Sequence, residues 1–163
     1  MQRRCEKVAE ILPKDRPCLA WCQLNAEADL LEKLIPDAVQ VAGSDSEDLK
    51  EERLNAFALG KIRVLVTKPK IACFGLNLQN CADVSYFPTY SHESFHQSIR
   101  RCWRFGQKNP VTCNLVYSEA ERLIVSRMLR KERQSDDLYS EIIKEMGNAN
   151  EESRIHSMEI LKG

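Results

Sequence analysis

Cys18-Leu19-Ala20-Trp21-Cys22 is a short apolar run bounded by Pro17 on one side and the polar Gln23-Leu24-Asn25 on the other. A strand covered on one face alternates apolar and polar residues, whereas an unbroken apolar run suits a strand buried on both. Beyond it, Ala28, Leu31, Leu34 and Ile35 recur at helical spacing as far as Pro36, and Ala38-Val39-Gln40-Val41-Ala42 reads as a second strand that leaves through Gly43-Ser44. Strand, helix and strand at this spacing form a parallel unit, because the helix carries the chain back along the sheet before the next strand begins.

The alternation continues outward in both directions. Upstream, Val8, Ile11 and Leu12 lie on one side of a helix that Pro13 stops. Downstream, Ser44 with Glu47 reads as a capping box, Asp45 and Asp48 sit where the helix dipole favours carboxylates, and Leu49, Arg53 and Phe57 share a face until Gly60 closes the helix. Further strands are expected at Ile62 to Val66, Asp83 to Phe87 and Val111 to Tyr117. Ser91 opens a helix through Phe95 and Ile99, Ser118 with Glu121 opens a long one through Ile124, Met128 and Leu129, and Ser135 recaps a last helix ending near Gly147. The expected fold class is α/β, a three-layer α/β/α domain with a mostly parallel central sheet over residues 1–147. Residues 148–163 form a polar tail expected to fray or to dock on something else.

Composition narrows the function classes. A chain of 163 residues holds one ordinary domain. Lys plus Arg and Asp plus Glu both number 24, so no global field draws the molecule to nucleic acid, and any basic patch is local. No apolar run reaches the roughly 18 residues of a membrane span, and Met1-Gln2-Arg3-Arg4-Cys5-Glu6 lacks a signal-peptide core, so a cytoplasmic chain is expected. The seven cysteines contain no C-x-x-C pair, which favours buried reduced thiols over zinc, and no metal ligand is assigned. His92, His96 and His156 have no Ser or Cys nucleophile arrangement beside them.

The chemistry concentrates between His92 and Lys108. On a 3.6-residue helix Gln97, Arg100, Arg101 and Arg104 fall within an arc of about 100°, with Phe95, Ile99 and Cys102 on the opposite side. None of the arginines has a carboxylate three or four residues away. The planar fork of Arg takes two phosphate oxygens and keeps its charge when desolvated, so phosphate is the natural partner, against the plainer reading of a solvated basic face.

Gln97-Ser98-Ile99-Arg100-Arg101-Cys102-Trp103-Arg104-Phe105-Gly106-Gln107 closely resembles helicase motif VI of Swi/Snf-type ATPases in superfamily 2: Gln, three residues, Arg, two residues, Arg, one residue, Gly-Gln. Val64-Leu65-Val66-Thr67 followed by Gly75-Leu76-Asn77-Leu78-Gln79 looks like motif V, and Cys18 to Gln23 resembles motif IV. Trp103 in place of a frequent His is similar to phage and prophage relatives, which implies a bacterial or phage-infected cell. The resemblance implies the C-terminal RecA-like lobe of a helicase or DNA translocase, with ATP and Mg2+ held mainly on a partner N-terminal lobe. It further implies Arg104 as arginine finger, Arg101 as a second phosphate contact, Gln97 as a polar or interlobe support, and Gly75 and Asn77 near the nucleotide or the interlobe cleft. Thr67, Lys68 and Lys70 stand where a nucleic-acid backbone passes, double-stranded DNA by the same resemblance. For Arg100 an interlobe ion pair, a DNA phosphate and plain solvation stay open. Glycine nowhere begins G-x-x-x-x-G-K-[ST], so the chain alone is expected to be inactive. A free-standing, non-catalytic nucleic-acid-binding or adaptor module is the competing reading.

Overall fold

A computed structural model of the chain describes residues 1–71, 77–135, 137–138 and 140–141. In chain order the elements are α1 (Gln2–Ile11), β1 (Cys18–Trp21), α2 (Asn25–Leu34), β2 (Ala38–Val41), α3 (Glu47–Ala58), β3 (Val64–Thr67), β4 (Asp83–Tyr86), α4 (His92–Arg100) and β5 (Thr112–Leu115). A 3-10 turn, Glu119–Glu121, leads into α5, residues 122–135. The five strands stand in the order β2-β3-β1-β4-β5, and every pairing is parallel.

The central place of β1 accounts for its unbroken apolar run. Leu19 and Trp21 face one core with Val41, Leu65, Val84, Tyr86, Leu54 and Phe57 of α3, Phe95 of α4 and Met128 of α5. Cys18, Ala20 and Cys22 face the other, with Val64, Val66, Phe87, Val8 of α1 and Leu31 of α2. A pleated strand sends successive side chains to opposite faces, so a strand with helices on both sides favours apolar residues at every position. The chain leaves β1 into the α2 layer and leaves β4 into the α4 layer, so the carboxyl ends of these neighbours diverge and open a crevice.

Two helix starts differ from expectation. The cap of α3 is Ser46, whose side chain accepts from Leu49 N at 3.3 Å, and Ser44 stays in the turn before it. Asp45 closes that turn by accepting from Ala42 N at 2.9 Å and from Arg53 Nη1 at 3.1 Å, which leaves Ser46 as the last non-helical residue. Ser135 is itself helical, as are residues 137–138 and 140–141, so among the described residues it is not the non-helical residue that opens a new helix. Ser118 behaves as expected: Glu121 Oε2 accepts its backbone N–H and its hydroxyl, both at 2.7 Å. The expected end near 147 and the tail 148–163 lie outside the described residues.

The α1–α2 layer is locked by one guanidinium. Arg4 Nη2 donates to Glu27 Oε1 at 2.5 Å, Nη1 donates to Glu121 just before α5, and the group lies 4.8 Å from the Phe87 ring centroid. Glu27 is 1% exposed, and its other oxygen accepts from Gln23 N at 3.0 Å and Leu24 N at 3.1 Å, covering the donors of the N-cap Leu24 and the residue before it. Burial pushes the Glu121 carboxyl up, but bonds from Ser118 and the charge of Arg4 outweigh it and hold the group below its ordinary value.

Candidate functional site

Helix α4 starts where Ser91 Oγ accepts from Ser94 N at 3.1 Å, and it buries Phe95 edge-on against Tyr86 with ring centroids 5.1 Å apart. That contact fixes its rotation, so Gln97 and Arg100 face outward. The regular helix ends at Arg100, and Arg101 is its C-cap. The arc drawn through Arg104 on helical periodicity is therefore corrected: Arg104 reaches the same place through a turn over residues 101–106.

Tertiary hydrogen bonds take over the carbonyls of that turn and end the helix there. Leu78 N donates to Arg101 O at 2.9 Å, and Gln79 Nε2 donates to Phe105 O at 2.5 Å. Gln107 Nε2 lies 3.0 Å from Gln79 O, 2.9 Å from Cys81 O and 3.2 Å from Cys102 O, stitching the turn to the chain that enters β4. Gly106 has φ +96°, a left-handed conformation that side chains disfavour, and an added Cβ would meet Gln79 Oε1 at 3.2 Å. Gly106 and Gln107 carried no assigned role in the sequence reading, although the Gly-Gln pair was visible as the close of the motif.

The turn produces an arginine-lined cleft of about 630 Å³ bounded by Gln97, Arg100, Arg101, Trp103, Arg104 and Phe105. Arg104 Nη1 donates to Asn77 Oδ1 at 2.6 Å, so an uncharged carbonyl holds the guanidinium without cancelling its charge. The Arg100 guanidinium lies over the Trp103 ring at 5.8 Å, and among the described residues no carboxylate pairs with Arg100 or Arg104. Arg101 is half-buried and engaged within the fold. With Gln97 it also lines an adjoining cavity of about 180 Å³ that includes Trp21 and Lys70, at the carboxyl edge of the sheet.

Of the expected site residues, Gln97, Arg100, Arg101 and Arg104 share one cleft, and Asn77 touches it through Arg104. Gly75 lies outside the described residues. Thr67 is fully buried, and its hydroxyl donates to Val41 O at 3.1 Å, so its side chain closes the sheet. Lys68 Nζ is held on Asn25 Oδ1, and Lys70 is exposed.

Cys73 lies outside the described residues. Cys5, Cys18, Cys22, Cys81, Cys102 and Cys113 are free, and burial pushes Cys18, Cys22 and Cys113 up to about 12.

The family described as the helicase conserved C-terminal domain matches residues 3–106, a span that runs from α1 through the arginine turn to Gly106. The chain belongs to this family. As a helicase C-terminal domain it is a lobe of the kind that pairs with an N-terminal one. Over 89 residues it is 33% identical to the bifunctional helicase and thymine dioxygenase JBP2 of Leishmania braziliensis, covering 53% of this chain and only 8% of that protein. The C-terminal part of the Fun30 ATPase domain superposes with a TM-score of 0.65 at 20% identity, over 76% of this chain and 43% of that one. The C-terminal domain of the DEAD-box protein Dbp5 gives 0.66 at 16% identity, over 80% and 79%. These likenesses establish the RecA-like architecture of a helicase C-terminal lobe, and among the described residues no helix is long and apolar enough to cross a membrane.

Proposed function

We propose that this helicase lobe is the second motor lobe of an ATP-dependent DNA translocase of the Swi/Snf kind, phage or prophage type. In this reading it supplies Arg104 and Arg101 to ATP held on an N-terminal lobe. The observation that carries the reading is the pairing of Arg104 with Asn77: a cation fixed by a neutral amide at the rim of a cleft whose two other arginines converge on the same space. A guanidinium neutralised within its own domain has little left to offer a phosphate, whereas one oriented by a carbonyl keeps its full charge. Facing the γ-phosphate, Arg104 stabilises the charge that develops as the phosphoryl group leaves, and Arg101 makes a second phosphate contact. Mg2+, which would be held with the nucleotide on the other lobe rather than by this chain, would supply further charge neutralisation there. Gln97 on the rim supports the interlobe contact, and Gly75 and Asn77 are the residues that the motif resemblance offers to the nucleotide or the interlobe cleft.

Lys70, Lys68 and Arg100 are the cations this reading offers to the backbone of double-stranded DNA. The compartment that goes with it is the cytoplasm of a bacterial or phage-infected cell.

The test joins the chain to an N-terminal lobe bearing the phosphate-binding loop and measures nucleic-acid-stimulated ATP hydrolysis with and without Arg104→Ala. A turnover collapse with unchanged thermal stability is expected, and an unchanged rate removes the finger role.

A further inference from the structure

His92 and His96 are one turn apart on α4, so their imidazoles stand on the same side of the helix, ring centroids 5.9 Å apart. Glu132 of α5 meets both. Its Oε2 is 2.5 Å from His92 Nε2, and its Oε1 is 3.3 Å from His96 Nδ1. One donor atom from each residue lies within 4.8 Å of the others. None of the three lines the arginine cleft, and Glu132 falls beyond the span matched by the helicase family.

We propose that His92, His96 and Glu132 form a binding site for one divalent transition-metal ion of the zinc class, which staples α5 to the helix that leads into the arginine turn. Two imidazole nitrogens and one carboxylate oxygen are a donor set that Zn2+ favours, and three protein ligands leave a fourth position for water. Bonds of about 2.0–2.1 Å put tetrahedral donors roughly 3.3 Å apart. The present separations of 2.5 Å and 3.3 Å and the outer limit of 4.8 Å bracket that value, so small side-chain rotations suffice. With neutral imidazoles the three groups carry a single negative charge, which complements a dication. The side chains are 20%, 27% and 28% exposed, which gives the ion a path from solvent while the helices hold the donors in place. The site is independent of the motor reading, because it needs neither nucleotide nor partner lobe.

The 163-residue chain, freed of any purification histidines and stripped with chelator, is titrated with Co2+ and Zn2+. One equivalent should bind, with the visible absorption of a nitrogen and oxygen site and no thiolate charge-transfer band, and Zn2+ should raise the melting temperature. Glu132→Gln keeps an amide able to hydrogen-bond the imidazoles but is a poor ligand. It should match the parent in chelator yet lose both the Co2+ equivalent and the Zn2+ shift, and His96→Asn should do the same. Absence of a stoichiometric equivalent in the parent, a thiolate band, or undiminished binding in both variants overturns the site.

Discussion

Arg4 and Arg104 show how differently one fold treats a guanidinium in its two helical layers. Arg4 is bracketed by Glu27 and Glu121 and covered by the Phe87 ring. Arg104 has an asparagine carbonyl and, in front of it, an arginine-lined cleft. The first arrangement spends the charge inside the domain, where it welds α1 to the start of α2 and to the approach to α5. The second holds a charge in position with no paired carboxylate among the described residues. The weld is thereby placed in one layer and the open guanidinium in the other, so under the proposed motor reading substitutions at the two sites should be separable by readout.

The sharpest way to break this contrast is Arg104→Ala in a reconstituted two-lobe enzyme. Turnover should fall by about a thousandfold or more, the usual weight of an arginine finger, with the melting temperature unchanged. Arg4→Ala should do the reverse. It leaves the nearly fully buried Glu27 without its cation, which costs about 3–5 kcal/mol and lowers the melting temperature by many degrees, while a chain that still folds keeps its arginine cleft. Calorimetry on both variants decides: if Arg4→Ala is thermally silent, the α1–α2 layer is not held as described.

How much of this the sequence announced follows from which interactions are local. The parallel strands were legible because burial on both faces leaves an uninterrupted apolar signature, as in Cys18 to Trp21, and the caps at Ser91 and Ser118 because a cap is satisfied within a few residues. Ser46 was missed in favour of Ser44 because both have the right residue type, and the choice was made by the Asp45–Arg53 bond across the turn. Arg101 and Arg104 were legible as a pair, but the end of the helix between them was not. It depends on Leu78 and Gln79 reaching the carbonyls of the turn from another part of the chain. Thr67 looked like a ligand-edge hydroxyl because its bond to Val41 O spans 26 residues. The spacing of His92 and His96 was on the page, whereas Glu132 arrives from α5 and only folding brings it to them.

A third prediction separates the turn from the arginines it carries. Gln107→Ala removes the amide shared among the carbonyls of Gln79, Cys81 and Cys102, and buried acceptors left without donors cost about 1–3 kcal/mol. Because these bonds set the path of residues 101–106, this variant should lose both stability and ATP turnover, unlike either arginine substitution. Gly106→Ala should show the same double loss more mildly, about 1–2 kcal/mol for a side chain in a left-handed conformation. If both retain full turnover, Arg104 is not positioned by this turn.

The smallest effect lies in the welded layer and is set by pH. Glu121 is held below its ordinary value in the folded chain, so its ionised form is the one that folding favours. A depressed carboxylate contributes stability that is fully present above the unfolded value of roughly 4.3 and is lost as pH falls through the folded value. Glu121 is partly exposed, which limits the contribution to under about 1 kcal/mol. Melting temperatures of the parent chain and Glu121→Gln should therefore differ by a degree or two at neutral pH and converge as the solution is acidified through the folded value. A gap of constant size across that range would mean that Glu121 holds Arg4 by shape and hydrogen bonding alone, and that the charge of Arg4 is balanced by Glu27 without it.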